Sequence, residues 1–119
     1  MQRHPEQADR LYIVTRVDLP LGLQAAQSAH AAFEFARDHW IPTAAWMRDS
    51  NFIVLVTVED EAALVELVDA AHREHVEVSK NFEPDLDGEL TAIVLAPGAV
   101  ARRLCARLPL MGRELAMSP

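Results

Sequence analysis

Gln27 and His30 stand three residues apart in the run Gly22-Leu23-Gln24-Ala25-Ala26-Gln27-Ser28-Ala29-His30-Ala31-Ala32. Residues at that spacing share one face of a helix. A carboxamide and an imidazole therefore project together from a surface otherwise smoothed by five alanines. Two polar groups placed so can line a site, where an imidazole can exchange a proton and an amide N–H can donate a hydrogen bond. Polar residues at a helix start also commonly hydrogen-bond the adjoining loop without any chemistry. On these residues alone both readings stay open.

Other reactive side chains carry less. His72 and His75, with Glu74 and Glu77 close by, fall at the end of a helical pattern. A histidine is favourable there against the helix dipole without any ligand, and no third ligand has metal-site spacing. The run Asp85-Leu86-Asp87-Gly88-Glu89 has the acids of a calcium loop, but its glycine comes two positions too early. Cys105 lies among Arg102, Arg103 and Arg107, which could lower its pKa; with no base at defined spacing it reads as a buried, inert thiol. No glycine-rich phosphate loop, GxSxG elbow or HExxH is present. The expectation is a site with neither metal nor cofactor.

The elements that must position these residues follow from pattern. Leu11 to Val17 is β-branched and aromatic and reads as a strand. Asp18-Leu19-Pro20-Leu21-Gly22 breaks it. Leu23 to His39 is helical, and Ile41-Pro42 should stop it, because a proline disfavours helix in the residue before it. Thr43 to Arg48 suits a short second helix bearing Trp46. Asn51 to Val58 is apolar nearly throughout, as expected of a strand covered on both faces. Asp60 can cap the next helix, with Glu61 in its first turn and Leu64, Val65, Leu67, Val68 and Ala71 as its buried stripe. Glu77 to Phe82 is a weaker strand, Pro84 to Gly88 a turn, and Leu90 to Leu95 a buried strand. Pro97 opens a last helix reaching about Ala106, and Leu108 to Met111 suits a short edge strand. Strands alternating with helices indicate an α/β layer fold with a partly parallel sheet.

A chain of 119 residues with 50% apolar and 24% charged residues builds one core. Residues 1–10 read as a flexible tail, 11–111 as the domain and 112–119 as a second tail. The apolar run Phe52 to Val58 is too short to cross a bilayer, so no membrane partner is expected. A polar N-terminus and a single cysteine point to the cytoplasm. The net charge is −7, and eleven acids against two bases crowd the stretch from Glu59 to Glu89. Phosphate contacts supply most nucleic-acid affinity, so this balance weakens any grip on nucleic acid.

The strand, Arg16-Val17-Asp18-Leu19, the glycine turn and Ala25-Ala26-Gln27-x-x-His30-Ala31 together resemble the type II peptidyl-tRNA hydrolase family. Thr91-Ala92-Ile93-Val94-Leu95-Ala96-Pro97 is similar to the family's late strand leading into its final helix. The resemblance covers about residues 11 to 110. It implies a single-domain mixed four-stranded sheet flanked by helices, and hydrolysis of the ester between peptide and tRNA without metal or cofactor. It implies catalytic roles for Gln27, His30, Thr91 and Asp85, with Asp18 and Glu83 binding substrate and Glu83 a rival to Asp85 as the loop acid. The chain departs from the family in lacking a lysine before Lys80 and in a shorter, acidic loop from Phe82 to Leu90. Two functions therefore compete: a hydrolase, or a non-catalytic relative that binds a small molecule or protein partner. A homodimer is expected from the apolar edge strand near Leu110, from Leu115 and Met117 behind it, and from Trp40 and Trp46.

Overall fold

The computed structural model describes residues 9–113; the expectations for residues 1–8 and 114–119, Leu115 and Met117 included, lie outside the described residues. Four strands, β1 (Arg10–Arg16), β2 (Phe52–Val58), β3 (Val78–Glu83) and β4 (Glu89–Leu95), form one mixed sheet in the order β2-β1-β4-β3. β1 runs parallel to β2 and antiparallel to β4, and β4 is antiparallel to β3. Helices α1 (Leu21–Asp38) and α2 (Trp40–Asp49) connect β1 to β2, α3 (Glu61–Arg73) connects β2 to β3, and α4 (Ala99–Cys105) follows β4. This is the mixed four-stranded α/β domain that the sequence implied.

Strand alternation divides the core in two. Leu11, Ile13, Ala92 and Val94 pack with Ala31, Phe35 and Trp46 under α1 and α2. Tyr12, Val14, Ile93 and Leu95 pack with Leu64, Val68, Ala71, Ala101 and Cys105 under α3 and α4. The central strands β1 and β4 are buried almost throughout, because each has a neighbour on both edges and helices on both faces.

β2 departs from expectation. It is an outer strand, and its burial rises from exposed Phe52 and Ile53 to buried Val56 and Thr57. An unbroken apolar run marks a strand near the core but does not fix its place in the sheet. Its outer edge is met by residues 109–111: the Thr57 N–H donates to the Pro109 carbonyl and the Met111 N–H to the Leu55 carbonyl, both at 2.9 Å. The segment at Leu110 thus pairs as one bridge to Val56.

Three helix boundaries also differ. The first helix ends at Asp38, one residue before the expected His39, and Ile41-Pro42 is not what stops it; His39 makes the corner at φ −133°, ψ 56°. Pro42 falls in the first turn of α2, where a missing N–H costs nothing. Pro97 precedes α4 by two residues, with Gly98 at the cap in a φ of 153° that favours glycine. Val65 leaves the expected stripe of α3 and is 44% exposed. Asp60 does cap α3, accepting from the Ala63 N–H at 3.0 Å. Of the two tryptophans, Trp46 is buried and donates its indole N–H to the Phe52 carbonyl at 3.0 Å, whereas Trp40 is exposed.

Two phenylalanines two residues apart test this packing. Phe35 is fully buried and Phe33 is 78% exposed. Phe35→Ala is expected to lower unfolding free energy by about 3–5 kcal/mol, and Phe33→Ala to change it by less than about 0.5 kcal/mol. Urea denaturation of the two variants beside the wild type checks the difference.

Candidate functional site

α1 crosses the sheet over β3 and β4, and the polar residues of all three elements meet there. β3 places Ser79, Asn81 and Glu83 on the α1 side by strand alternation, with Ser79 and Asn81 buried. β4 would point Thr91 the other way if its pairing were regular. The pairing slips between Asn81 and Phe82, which oppose Ala92 and Leu90, so Thr91 is the extra residue of a β-bulge. A bulge re-aims a side chain, and Thr91 turns its hydroxyl toward α1.

Gln27 receives it. The Thr91 hydroxyl donates to Gln27 Oε1 at 2.7 Å, and Asn81 Nδ2 donates to the same oxygen. Asn81 Nδ2 also donates to Thr91 Oγ1 at 2.9 Å, closing a triangle. With its oxygen held from inside, Gln27 directs Nε2 outward, where it donates to Glu83 Oε2 at 2.9 Å. The other carboxylate oxygen, Oε1, accepts from the Asp85 backbone N–H at 3.1 Å. The Thr15 hydroxyl supports the group from beneath by donating to the Thr91 carbonyl at 2.8 Å.

Burial grades across the site. Thr91 is fully buried and Gln27 is 2% exposed, while Glu83 is half-buried and His30 exposed. Glu83 lies below the ordinary glutamate pKa, chiefly because the Asp85 N–H and then Gln27 Nε2 hydrogen-bond its anionic form; the charge of His30 acts in the same direction. An anionic carboxylate held from behind thus stands within electrostatic reach of an exposed imidazole. That pair can carry a proton from water and stabilise the imidazolium that results.

Gln27, Thr91 and Glu83 therefore come together in direct hydrogen bonds, and His30 joins them through charge. Asp85 does not bring its carboxylate into a bond with the group; the residue is exposed and reaches Glu83 through its backbone alone. Of the two loop acids, Glu83 is the one whose carboxylate bonds Gln27. Asp18 belongs to a different cluster. The Arg16 guanidinium donates to both its carboxylate oxygens, at 3.0 and 2.9 Å, to Glu89 at 2.7 Å and to the Leu90 carbonyl at 3.1 Å. Arg16 is buried and joins the end of β1 to the start of β4. Gln24, one helical turn before Gln27, fixes the β1–α1 turn by donating to the Leu19 carbonyl at 2.7 Å.

Asn81 was not among the residues the sequence pointed to. Its signal is the alternation of Ser79, Asn81 and Glu83 through an otherwise ordinary strand, a polar face that needs polar partners. Among the described residues no cluster of three or more metal-ligating side chains occurs. Cys105 is buried, and burial pushes its thiol up to about 12, so the neighbouring arginines do not activate it.

Asp18 offers a pH test of the Arg16 cluster. The Arg16 hydrogen bond holds its carboxyl below the ordinary value. Stability from the pair is then present above the unfolded pKa of about 3.9 and is lost as pH falls through the lower folded value. Asp18→Asn is expected to flatten that acid limb. Urea midpoints of wild type and variant between about pH 7 and pH 2 measure it.

A family model described as Peptidyl-tRNA hydrolase PTH2 matches residues 10–102. Comparison with curated proteins gives no match. Among solved structures, that of a protein of unknown function from Agrobacterium tumefaciens strain C58 aligns with a TM-score of 0.65 at 10% identity. The alignment covers 87% of this chain and 97% of that one, and at so low an identity the likeness is one of fold. The family match takes in β1, the helix bearing Gln27 and His30, Glu83 and Thr91, and by it the chain belongs to the peptidyl-tRNA hydrolase PTH2 family.

Proposed function

We propose that the protein hydrolyses esters of the peptidyl-tRNA type, slowly, at the exposed rim of the Gln27–Glu83 group. The observation that carries this reading is the directed hydrogen bond from Gln27 Nε2 to Glu83 beside His30. His30 takes the proton from the attacking water. Glu83, kept anionic, steadies the imidazolium, and Gln27 with Thr91 behind it keeps Glu83 in place. Gln27 Nε2 has a second N–H that bonds nothing among the described residues, and it is the donor available to the developing oxyanion. The chain has no lysine before Lys80, and loss of one oxyanion donor lowers kcat by about 100- to 1,000-fold.

A second reading has its own support. The acidic stretch from Glu59 to Glu89 includes the loop at the rim, which opposes tRNA phosphates and favours a non-catalytic relative that binds a small molecule or protein. Electrophoretic shift with tRNA at increasing salt separates the two. Binding that weakens steeply with salt reports phosphate contacts and supports the hydrolase; no binding at physiological salt supports the alternative. A homodimer stays a proposal, resting on the exposed Trp40, Phe33, Ile41 and Leu110; a monomer by sedimentation at micromolar concentration would remove it.

Turnover of peptidyl-tRNA gives the direct test. His30→Ala is expected to lower the rate by about 100-fold or more. Glu83→Gln should lower it through loss of the anion that steadies the imidazolium. Asp85→Ala keeps the backbone N–H that Glu83 uses and should stay within about threefold of wild type, under 1 kcal/mol. No turnover above a heat-inactivated control overturns the hydrolase reading.

A further inference from the structure

We infer that Asn81 is a positioning residue: it sets which way the Gln27 carboxamide faces and, through it, where the Glu83 carboxylate is held. The two ends of a carboxamide are nearly the same shape, so its orientation depends on what its partners can donate or accept. Thr91 alone does not decide it, because a hydroxyl can do either. Asn81 turns its Nδ2, the donating end, inward, and the Glu83 carboxylate, which can only accept, meets the other end of Gln27. Nδ2 points at Gln27 Oε1 and, at 2.9 Å, at Thr91 Oγ1. Once Thr91 Oγ1 accepts from Asn81, its own proton is free to go to Gln27 Oε1 at 2.7 Å; the Asn81 carbonyl, at 3.1 Å, is the longer alternative. Two donors then converge on one oxygen, and Nε2 is left to face Glu83.

Burial makes the arrangement strict. Asn81 is 5% exposed, Gln27 2% and Thr91 0%, and a buried polar atom deprived of its partner is costly. The slipped register gives Asn81 its reach, because the bulge puts Thr91 beside it on the α1 side. An aliphatic residue at 81 leaves the Gln27 oxygen with Thr91 as its single donor. An acid there sets acceptor against acceptor and drives the amide to turn over, which presents its oxygen to Glu83.

The inference rests on the hydrolase reading only for its kinetic readout, so its test has a spectroscopic arm. The Glu83 carboxyl is followed by NMR titration in wild type, Asn81→Leu, Asn81→Asp and Asn81→Ser. The groups that face it are Gln27 and His30 from α1 and the Asp85 N–H from the turn; the same series in a His30→Ala background removes the imidazole's charge. The Glu83 midpoint should rise in Asn81→Leu and Asn81→Asp and stay near wild type in Asn81→Ser, which keeps a donor. In the peptidyl-tRNA assay, Asn81→Leu should lower kcat by about 100-fold with little change in KM, and Asn81→Ser should recover most of it. A folded Asn81→Leu whose Glu83 titrates as in wild type overturns the inference. If that variant does not fold, the wild type decides: the Gln27 side-chain N–H resonance must follow the Glu83 titration, and one that ignores it overturns the inference equally. NMR shifts as expected without any turnover in wild type leave the inference standing and end the hydrolase reading.

Discussion

A carboxamide buried between a helix and a sheet must have its oxygen and its nitrogen paired, and where α1 crosses β3 and β4 that demand falls on Gln27. Meeting it takes three residues from two strands: Thr91 and Asn81 on the oxygen, Glu83 on the nitrogen. Each comes with a structural condition. Thr91 is available because the ladder slips at Asn81 and Phe82. Asn81 and Glu83 are available because β3 presents alternate residues to α1. The register of the two strands and the rotation of the helix are thus tied to one side-chain group. Slipping β3 by one residue would bring Lys80 and Phe82 to the α1 side.

The acidic stretch looks like a surplus of charge in the sequence, but many of its members hold elements together. Asp60 caps α3, and Glu61 accepts from the Leu90 N–H at 2.7 Å, joining the start of α3 to the start of β4. Glu77 pairs with His39 at 3.0 Å, linking the α1–α2 corner to the approach to β3. Glu74 pairs with Arg103 of α4, and Glu89 with Arg16 of β1. Exposed pairs of this kind add little stability singly. Their consequence is chiefly that the local excess of negative charge is partly answered from the arginine-bearing remainder of the chain, and Glu83 is one of the acids left facing the rim.

The site is built from the inside outward. Its interior, Thr15, Thr91, Asn81 and Gln27, is buried and held by hydrogen bonds, while its rim, Glu83 and His30, is more exposed. Such an order suits chemistry in which the reacting groups must be solvated but precisely oriented groups would otherwise wander, since orientation is a large part of what an active site supplies. It also suits a purely structural clamp, which is why function has to be argued from the rim groups and not from the buried triangle.

The sequence by itself determined the elements. Branched and aromatic runs marked β1, β2 and β4, an aspartate marked the start of α3, and the glutamine–histidine spacing with the late Thr91 strand pointed to the family. Those signals are local, and local propensity and periodicity carry them. Tertiary structure alone decided the rest. Gln27 and His30, expected to project together, differ in burial, Gln27 inside and His30 at the surface, because α1 turns its Gln24, Gln27, Ala31 and Phe35 stripe to the sheet. The apolar run of β2 became an outer strand because order in a sheet depends on which strands pair, not on how apolar each is. Glu83, and not Asp85, meets Gln27 because only Glu83 lies on the strand that α1 crosses. Asn81 stayed hidden because its meaning depends on a one-residue bulge in a pairing partner ten positions away, a contact that no local pattern in either strand records.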